Sequence, residues 1–196
     1  TMESIIRILL VEDVETDAEL LFKEITRNNI QFTKHIVDTE ADYLEALRSF
    51  NPDLIISDYS LPQFNGMLAL KQREEYFPDI PFILVTGSIN EETAVECMKA
   101  GADDYVIKQN LKRLAPAIRS AISKKETIHS KKRAEESLVK SEAVTRMIIE
   151  LSPIGILNLD KEGIITYENN AMKKMMGVPE GLDSPILGKN FFKLPI

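Results

Sequence analysis

The sequence predicts an α/β fold: a five-stranded parallel sheet covered by helices on both faces, then a long α-helix, then a partial α+β segment. Three observations predict it. Short runs of Ile, Leu and Val alternate with helix-length amphipathic stretches through the first part of the 196 residues, a pattern that specifies a doubly covered parallel sheet. From Leu111 to Leu151 the chain has no glycine and no proline beyond Pro116, so one helix can run through it. After Ser152-Pro153 the pattern changes to two apolar runs around Lys161-Glu162-Gly163, which reads as a hairpin.

Taken in order, Ile5 to Val11 is a first strand ending at Glu12-Asp13. Thr16-Asp17-Ala18-Glu19 has the spacing of a capping box, after which Ala18, Leu21, Phe22 and Ile25 share one helical face. Asn28-Asn29 stops that helix, and Phe32 to Val37 is the second strand. Thr39 opens a helix that ends near Pro52. The run Leu54 to Asp58 is a buried strand, and a helix from Gly66 to about Phe77 follows its loop. Pro81 to Val85 is a fourth strand ending at Thr86-Gly87. Ser88 or Asn90 caps the next helix, which should turn Ala94, Val95 and Met98 inward and stop at Gly101. Tyr105 to Ile107 is the fifth strand, ending at Lys108, and a helix begins near Leu111 with Pro116 tolerated in its first turn. The expected division is residues 1–123, 124–151 and 152–196.

Composition excludes several classes. The chain is 44% hydrophobic and 28% charged, ordinary for a globular protein. A net charge of −7 argues against direct nucleic-acid binding. The lone Cys97 leaves no internal disulfide and fits a reducing cytoplasm; beside Ala94 it reads as buried packing. No apolar run is long enough to span a membrane. His35 and His129 have no kinase-like setting, and no glycine motif for ATP is present.

Right-handed crossovers bring all strand carboxyl ends to one rim. Glu12, Asp13, Asp58, Thr86 and Lys108 therefore gather where open α/β sheets bind ligands. Clustered carboxylates demand a hard cation such as Mg²⁺. A carboxylate can also attack phosphorus to give an acyl phosphate, while an ammonium and a hydroxyl steady the phosphoryl oxygens. Each residue alone has an ordinary reading, as turn acid, strand-end hydroxyl or surface charge. Their joint placement on successive strand ends does not.

Residues 5 to about 123 resemble a receiver domain of a two-component response regulator, of flavodoxin-like (βα)5 type. The resemblance is carried by Ile8-Leu9-Leu10-Val11-Glu12-Asp13, Leu54-Ile55-Ile56-Ser57-Asp58, Leu61-Pro62, Gly66-Met67, Leu84-Val85-Thr86-Gly87, Ala100 through Tyr105, and Lys108. It implies that Asp58 accepts a phosphoryl group from a histidine kinase or phosphotransfer protein. Asp13, Asp58 and the backbone carbonyl of Ser60 would bind Mg²⁺, assisted by Glu12 through water. Thr86 and Lys108 would hold the phosphoryl oxygens, Tyr105 would turn inward with Thr86, and Ser60 and Ser88 would tune phosphate lifetime. The resemblance implies no enzyme beyond slow autodephosphorylation. The family often has a cis proline after the lysine; here Gln109 follows, and a cis bond there would cost about 3 kcal/mol, so the reach of Lys108 is open.

The segment from Ser152 is similar to the opening of a PAS sensor domain, on Pro153-Ile154-Gly155-Ile156, Asp160, Gly163, Ile164-Ile165-Thr166-Tyr167, Asn169-Asn170-Ala171 and Met176-Gly177. No ligand is assigned to it. In the linker, Leu114, Ile118, Ala121, Ile128, Leu138, Ile148 and Leu151 recur at helical steps around a basic middle. They read either as a solvated spacer or as a parallel coiled coil joining a homodimer. Two rivals remain: a Mg²⁺-dependent phosphohydrolase with an aspartyl nucleophile, and the N-terminal part of a hybrid sensor histidine kinase. The hydrolase wants a second acid two residues after its nucleophile, where Ser60 stands.

Overall fold

A computed structural model describes residues 5–62, 64–87, 91–179, 182 and 184–194. It divides into two compact units, residues 1–130 and 131–196.

The first unit is the expected sheet. Strands β1 (Ile6–Val11), β2 (Phe32–Val37), β3 (Leu54–Asp58), β4 (Phe82–Thr86) and β5 (Asp104–Ile107) lie in the order β2-β1-β3-β4-β5, all parallel. The order reverses beside β1 and β3, which places a binding crevice at their carboxyl ends. Alternate residues feed two cores, as the two-residue period of a strand requires. Ile8, Leu10, Leu54, Ile56, Ile83 and Val85 meet α1 (Glu15–Arg27) and the start of α5 (Leu114–Leu151). Leu9, Val11, Ile55, Phe82 and Leu84 meet α2 (Glu40–Ser49), α3 (Gly66–Tyr76) and α4 (Glu91–Lys99). β3 and β4 are buried at every position, so the strands that carry Asp58 and Thr86 are the most enclosed. Each fully buried aliphatic side chain contributes about 1.5–3 kcal/mol.

Three local expectations are corrected. The Thr16–Glu19 capping box is not formed, because α1 starts two residues earlier, about half a turn. Its N-cap is Val14, in extended conformation, and no side chain caps it. Thr16 and Asp17 thus lie inside the first turn, where Asp17 reaches elsewhere. In α4 the inward stripe is narrower than predicted. Ala94 and Cys97 are buried, but Val95 and Met98 are 51% and 43% exposed and line a shallow surface hollow with Lys99 and Tyr105. Positions 94 and 97 already fill the contact with the sheet. Ser88 and Asn90, the expected caps, lie outside the described residues. The fifth crossover also begins differently: a 3-10 helix, Lys108–Arg113, precedes α5, so Pro116 is the third residue of the α-helix and needs no hydrogen-bond partner there.

α5 continues without interruption to Leu151. In the second unit, β6 (Leu157–Leu159) and β7 (Ile165–Glu168) pair antiparallel, and α6 (Asn170–Met175) follows. Asn169, fully buried, ties this unit together. Its Oδ1 accepts from the N–H groups of Ile156 (2.8 Å) and Met172 (3.0 Å), and its Nδ2 donates to the carbonyls of Ile149 (2.8 Å) and Ile154 (2.9 Å). Ile165 and Ile186 form the buried apolar centre beside it.

Candidate functional site: the acidic rim

The site lies at the carboxyl ends of β1 and β3. Asp58 is the last residue of β3 and is 7% exposed. A glycine behind it makes that position possible. A Cβ on Gly66 would stand 2.4 Å from the Asp58 carbonyl oxygen and 2.7 Å from Leu84, contacts that real Cβ atoms do not make. The Asn65 side chain caps α3 by accepting from the Leu68 N–H at 2.8 Å, so the chain turns directly from the Asp58 loop into that helix.

The Asp58 carboxylate is held at both oxygens. The Ser60 N–H donates to Oδ1 at 3.2 Å, and the Lys108 ammonium donates to Oδ2 at 2.8 Å. Lys108 follows β5 directly, and its Nζ also donates to Glu12 Oε2 at 2.9 Å and to Asp17 Oδ2 at 2.5 Å. Glu12 is buried at the end of β1, where its other oxygen accepts from the Val14 N–H at 3.1 Å. Among the described residues no peptide bond is cis; Lys108 reaches the rim across a trans bond to Gln109, which answers the question its sequence left open.

The charges explain one another. Burial pulls the Lys108 ammonium down, but hydrogen bonds to Asp17, Asp58 and Glu12 outweigh it and hold its pKa well above the usual lysine value. Burial pushes Glu12 above the usual carboxylate range, and the Lys108 and Val14 contacts only partly offset that. Three carboxylates, Glu12, Asp17 and Asp58, contact one ammonium. Such an excess of negative charge calls for a further cation.

The structure thus brings Glu12, Asp58 and Lys108 into direct contact. Asp13 is exposed beside them and, with Glu12, Glu15 and Asp38, lines an adjoining acidic hollow. Thr86 ends β4, fully buried, one step past the Asp58–Val85 register pair. Tyr105 is half-buried on β5, with the Arg113 guanidinium 5.9 Å from its ring. Ser60 is exposed and contributes its N–H. Ser88 lies outside the described residues. The residue missed was Asp17. Its signal was available: the first turn of a helix that directly follows β1 must lie at the same rim, but the capping-box spacing absorbed it.

Among the described residues no three His, Cys, Asp or Glu side chains are already arranged around a metal position. The donor chemistry nonetheless fits a hard divalent cation. Carboxylate oxygens of Glu12 and Asp58 converge within 2.9 Å of one point, and the Lys108 ammonium occupies that point as the present cation.

Comparison with known proteins agrees with this geometry. The response regulator receiver domain family matches residues 8–119, more than half of the chain, and the chain belongs to that family. It is 36% identical over 116 residues to the regulatory protein LuxO of Vibrio cholerae, covering 59% of this chain and 25% of LuxO. It is 36% identical over 107 residues to the phosphate regulon transcriptional regulatory protein PhoB of Escherichia coli, covering 52% of this chain and 44% of PhoB. The chain therefore spans a quarter to under half of these relatives, and their whole activities are their own. Among solved structures, a CheY-like response regulator receiver domain protein from Methanospirillum hungatei JF-1 superposes with a TM-score of 0.55 at 26% identity, over 63% of this chain and 98% of that one. Receivers of this family generally bind Mg²⁺ at the phosphorylation site. Among the described residues no helix is long and apolar enough to cross a membrane.

Proposed function

We propose that the first unit is a phosphoacceptor: Asp58 takes a phosphoryl group from the phosphohistidine of a histidine kinase or phosphotransfer protein. The observation that carries this is the buried Asp58 carboxylate at a strand end, held between the Lys108 ammonium and the Ser60 N–H and facing Glu12. An Asp58 carboxylate oxygen forms the new bond to phosphorus, the phosphorus–nitrogen bond breaks, and the electron pair leaves with the imidazole. Positioning and charge neutralisation do most of the work in such transfers. Lys108 offers N–H donors to the phosphoryl oxygens without moving far, because it already contacts the accepting carboxylate. Thr86 supplies a hydroxyl at the neighbouring strand end. Mg²⁺ would be held by Asp13, Asp58 and the Ser60 carbonyl, with Glu12 assisting, and would supply the charge that one ammonium cannot.

On this reading the unit is an acceptor and not a turnover enzyme. Ser60, where a hydrolase of this type places a general acid, has no titratable group. Thr86 and Tyr105 form the switch, and the shallow hollow of Ala94, Val95, Met98 and Tyr105 is the surface that changes with it. The second unit is a PAS-like sensor start, supported by its hairpin and short helix, joined through α5. The net charge of −7 favours protein partners over nucleic acid for this stretch.

Incubation with acetyl phosphate and Mg²⁺, read by intact mass, tests the acceptor. One phosphoryl adduct is expected on the wild-type chain and none on Asp58→Asn or without divalent cation. An equal adduct on Asp58→Asn sinks the assignment.

A further inference from the structure

We propose that Asp17 is a positioning residue: it keeps the Lys108 ammonium over the rim while the cation and the phosphoryl group engage the other carboxylates. The inference rests on the phosphoacceptor reading of Asp58 and deepens it.

An ammonium has three N–H donors and no acceptor. In this structure they go to acceptors on separate elements: Glu12 at the end of β1, Asp58 at the end of β3, and Asp17 in the first turn of α1. Glu12 and Asp58 each have a second duty in phosphoryl transfer, one toward the cation and one as the acceptor itself. When they turn to it, Lys108 loses two of its three partners. Asp17 is the one that stays, and its contact, at 2.5 Å, is the shortest of the three.

The need for such an anchor follows from the lysine side chain. It is a flexible stem bearing a strongly hydrated point charge, and here it remains 21% exposed. Water is therefore within reach of a released ammonium. Asp17 is well placed to compete with water, because its backbone is fixed by the buried face of α1, beginning at its neighbour Ala18. The anchor also costs the site little reach. Glu12, Asp17 and Asp58 hold one nitrogen in common, so an ammonium still on Asp17 remains beside any group attached to Asp58.

The plain alternative is that Asp17 is an acid favoured in the first turn of a helix, where the backbone N–H groups and the helix dipole attract negative charge. That benefit does not depend on Lys108. A double-mutant cycle separates the two. Beryllofluoride, a phosphoryl mimic, is titrated in saturating Mg²⁺ and followed by fluorine NMR, with a thermal melt of each variant to confirm folding. Asp17→Asn should weaken beryllofluoride binding by about tenfold, the scale of one lost charge-assisted contact. In a Lys108→Met background the same substitution should change binding by less than about twofold, since its target is gone. Asp17→Glu, which keeps the charge, should lie nearer to wild type than Asp17→Asn. Equal losses in both backgrounds, unchanged or tighter binding by Asp17→Asn, or a Glu variant no better than Asn would each overturn the proposal. Failure of the wild-type chain itself to bind beryllofluoride would instead overturn the phosphoacceptor reading, and this proposal with it.

Discussion

Gly66 is a single residue on which the geometry of Asp58 depends. A methyl group there would meet the Asp58 carbonyl and the Leu84 side chain at distances real Cβ atoms do not show, and the backbone carrying Asp58 would have to shift. Gly66→Ala should destabilise the first unit by about 1–3 kcal/mol, the usual cost of overpacking a filled site. It should also weaken beryllofluoride binding; urea unfolding and titration together check both effects, and normal binding would show that the loop absorbs the methyl. A second residue-scale prediction concerns pH. Burial and the Glu150 carboxylate, which accepts from the Tyr167 hydroxyl at 2.6 Å, push the Tyr167 phenol up to about 12. The same bond holds Glu150 below the usual carboxylate value. The phenol's contribution to stability is thus fully present below its ordinary pKa of about 10 and is lost as pH rises through the folded value. The carboxylate's is present above about pH 4.3 and fades below it. A ring-carbon NMR titration should place the Tyr167 midpoint near 12, and Glu150→Gln should bring it toward the ordinary value. An unchanged midpoint would remove Glu150 as a cause.

At the scale of elements, what was legible in the sequence was what local chemistry dictates. β3 and β4 could be read because every position before the terminal Asp58 and Thr86 is apolar or small, and every position is buried. Thr39 and Asn65 cap α2 and α3 through their own side chains, a preference visible residue by residue. The failures arose where a tertiary partner overrode a local signal. Thr16 to Glu19 has capping-box spacing, yet α1 is capped at Val14, and Asp17, inside the expected box, pairs with Lys108, 91 positions away. The apolar run after Pro153 forms strand only at Leu157–Leu159, because Asn169 takes the Ile156 N–H and the Ile154 carbonyl, groups a strand partner would otherwise have used. α5 carries the element-scale prediction. Val144, Met147, Ile148 and Leu151 recur at the i, i+3, i+4, i+7 steps of one helical face and are 49–76% exposed. A homodimer through α5, the coiled-coil alternative to a solvated spacer, would use that stripe as its seam, with little contribution from the polar stretch between Ile128 and Leu138. Sedimentation equilibrium should show a dimer that Ile148→Asp dissociates; a monomeric wild-type chain, or a dimer indifferent to the substitution, would leave α5 a solvated spacer.

For the whole molecule, the site's chemistry was more legible than its wiring. Glu12, Asp13, Asp58, Thr86 and Lys108 could be placed on one rim from strand order alone. That the ammonium bridges β1, α1 and β3 at once could not, since a side chain's choice among carboxylates is set by geometry that no local pattern records. The two units have separate buried centres, so a ligand for one should act on that one. Beryllofluoride with Mg²⁺ at a hundred times its dissociation constant should stabilise the first unit by about 2.7 kcal/mol. Hydrogen exchange should show this gain in β1 to β5 and leave β6 and β7 as they were; equal protection in both would mean that the units unfold together. The contacts of Lys108 have one more consequence, for the order of synthesis. Glu12 and Asp58 stand 96 and 50 positions before it, and chains emerge from the ribosome amino end first. A nascent chain that has released four strands already displays Asp58, but the ammonium that holds it in the finished fold is still inside the exit tunnel. Until β5 joins the sheet, the acids at the rim repel one another without an internal counter-charge, and a soluble divalent ion is the available substitute.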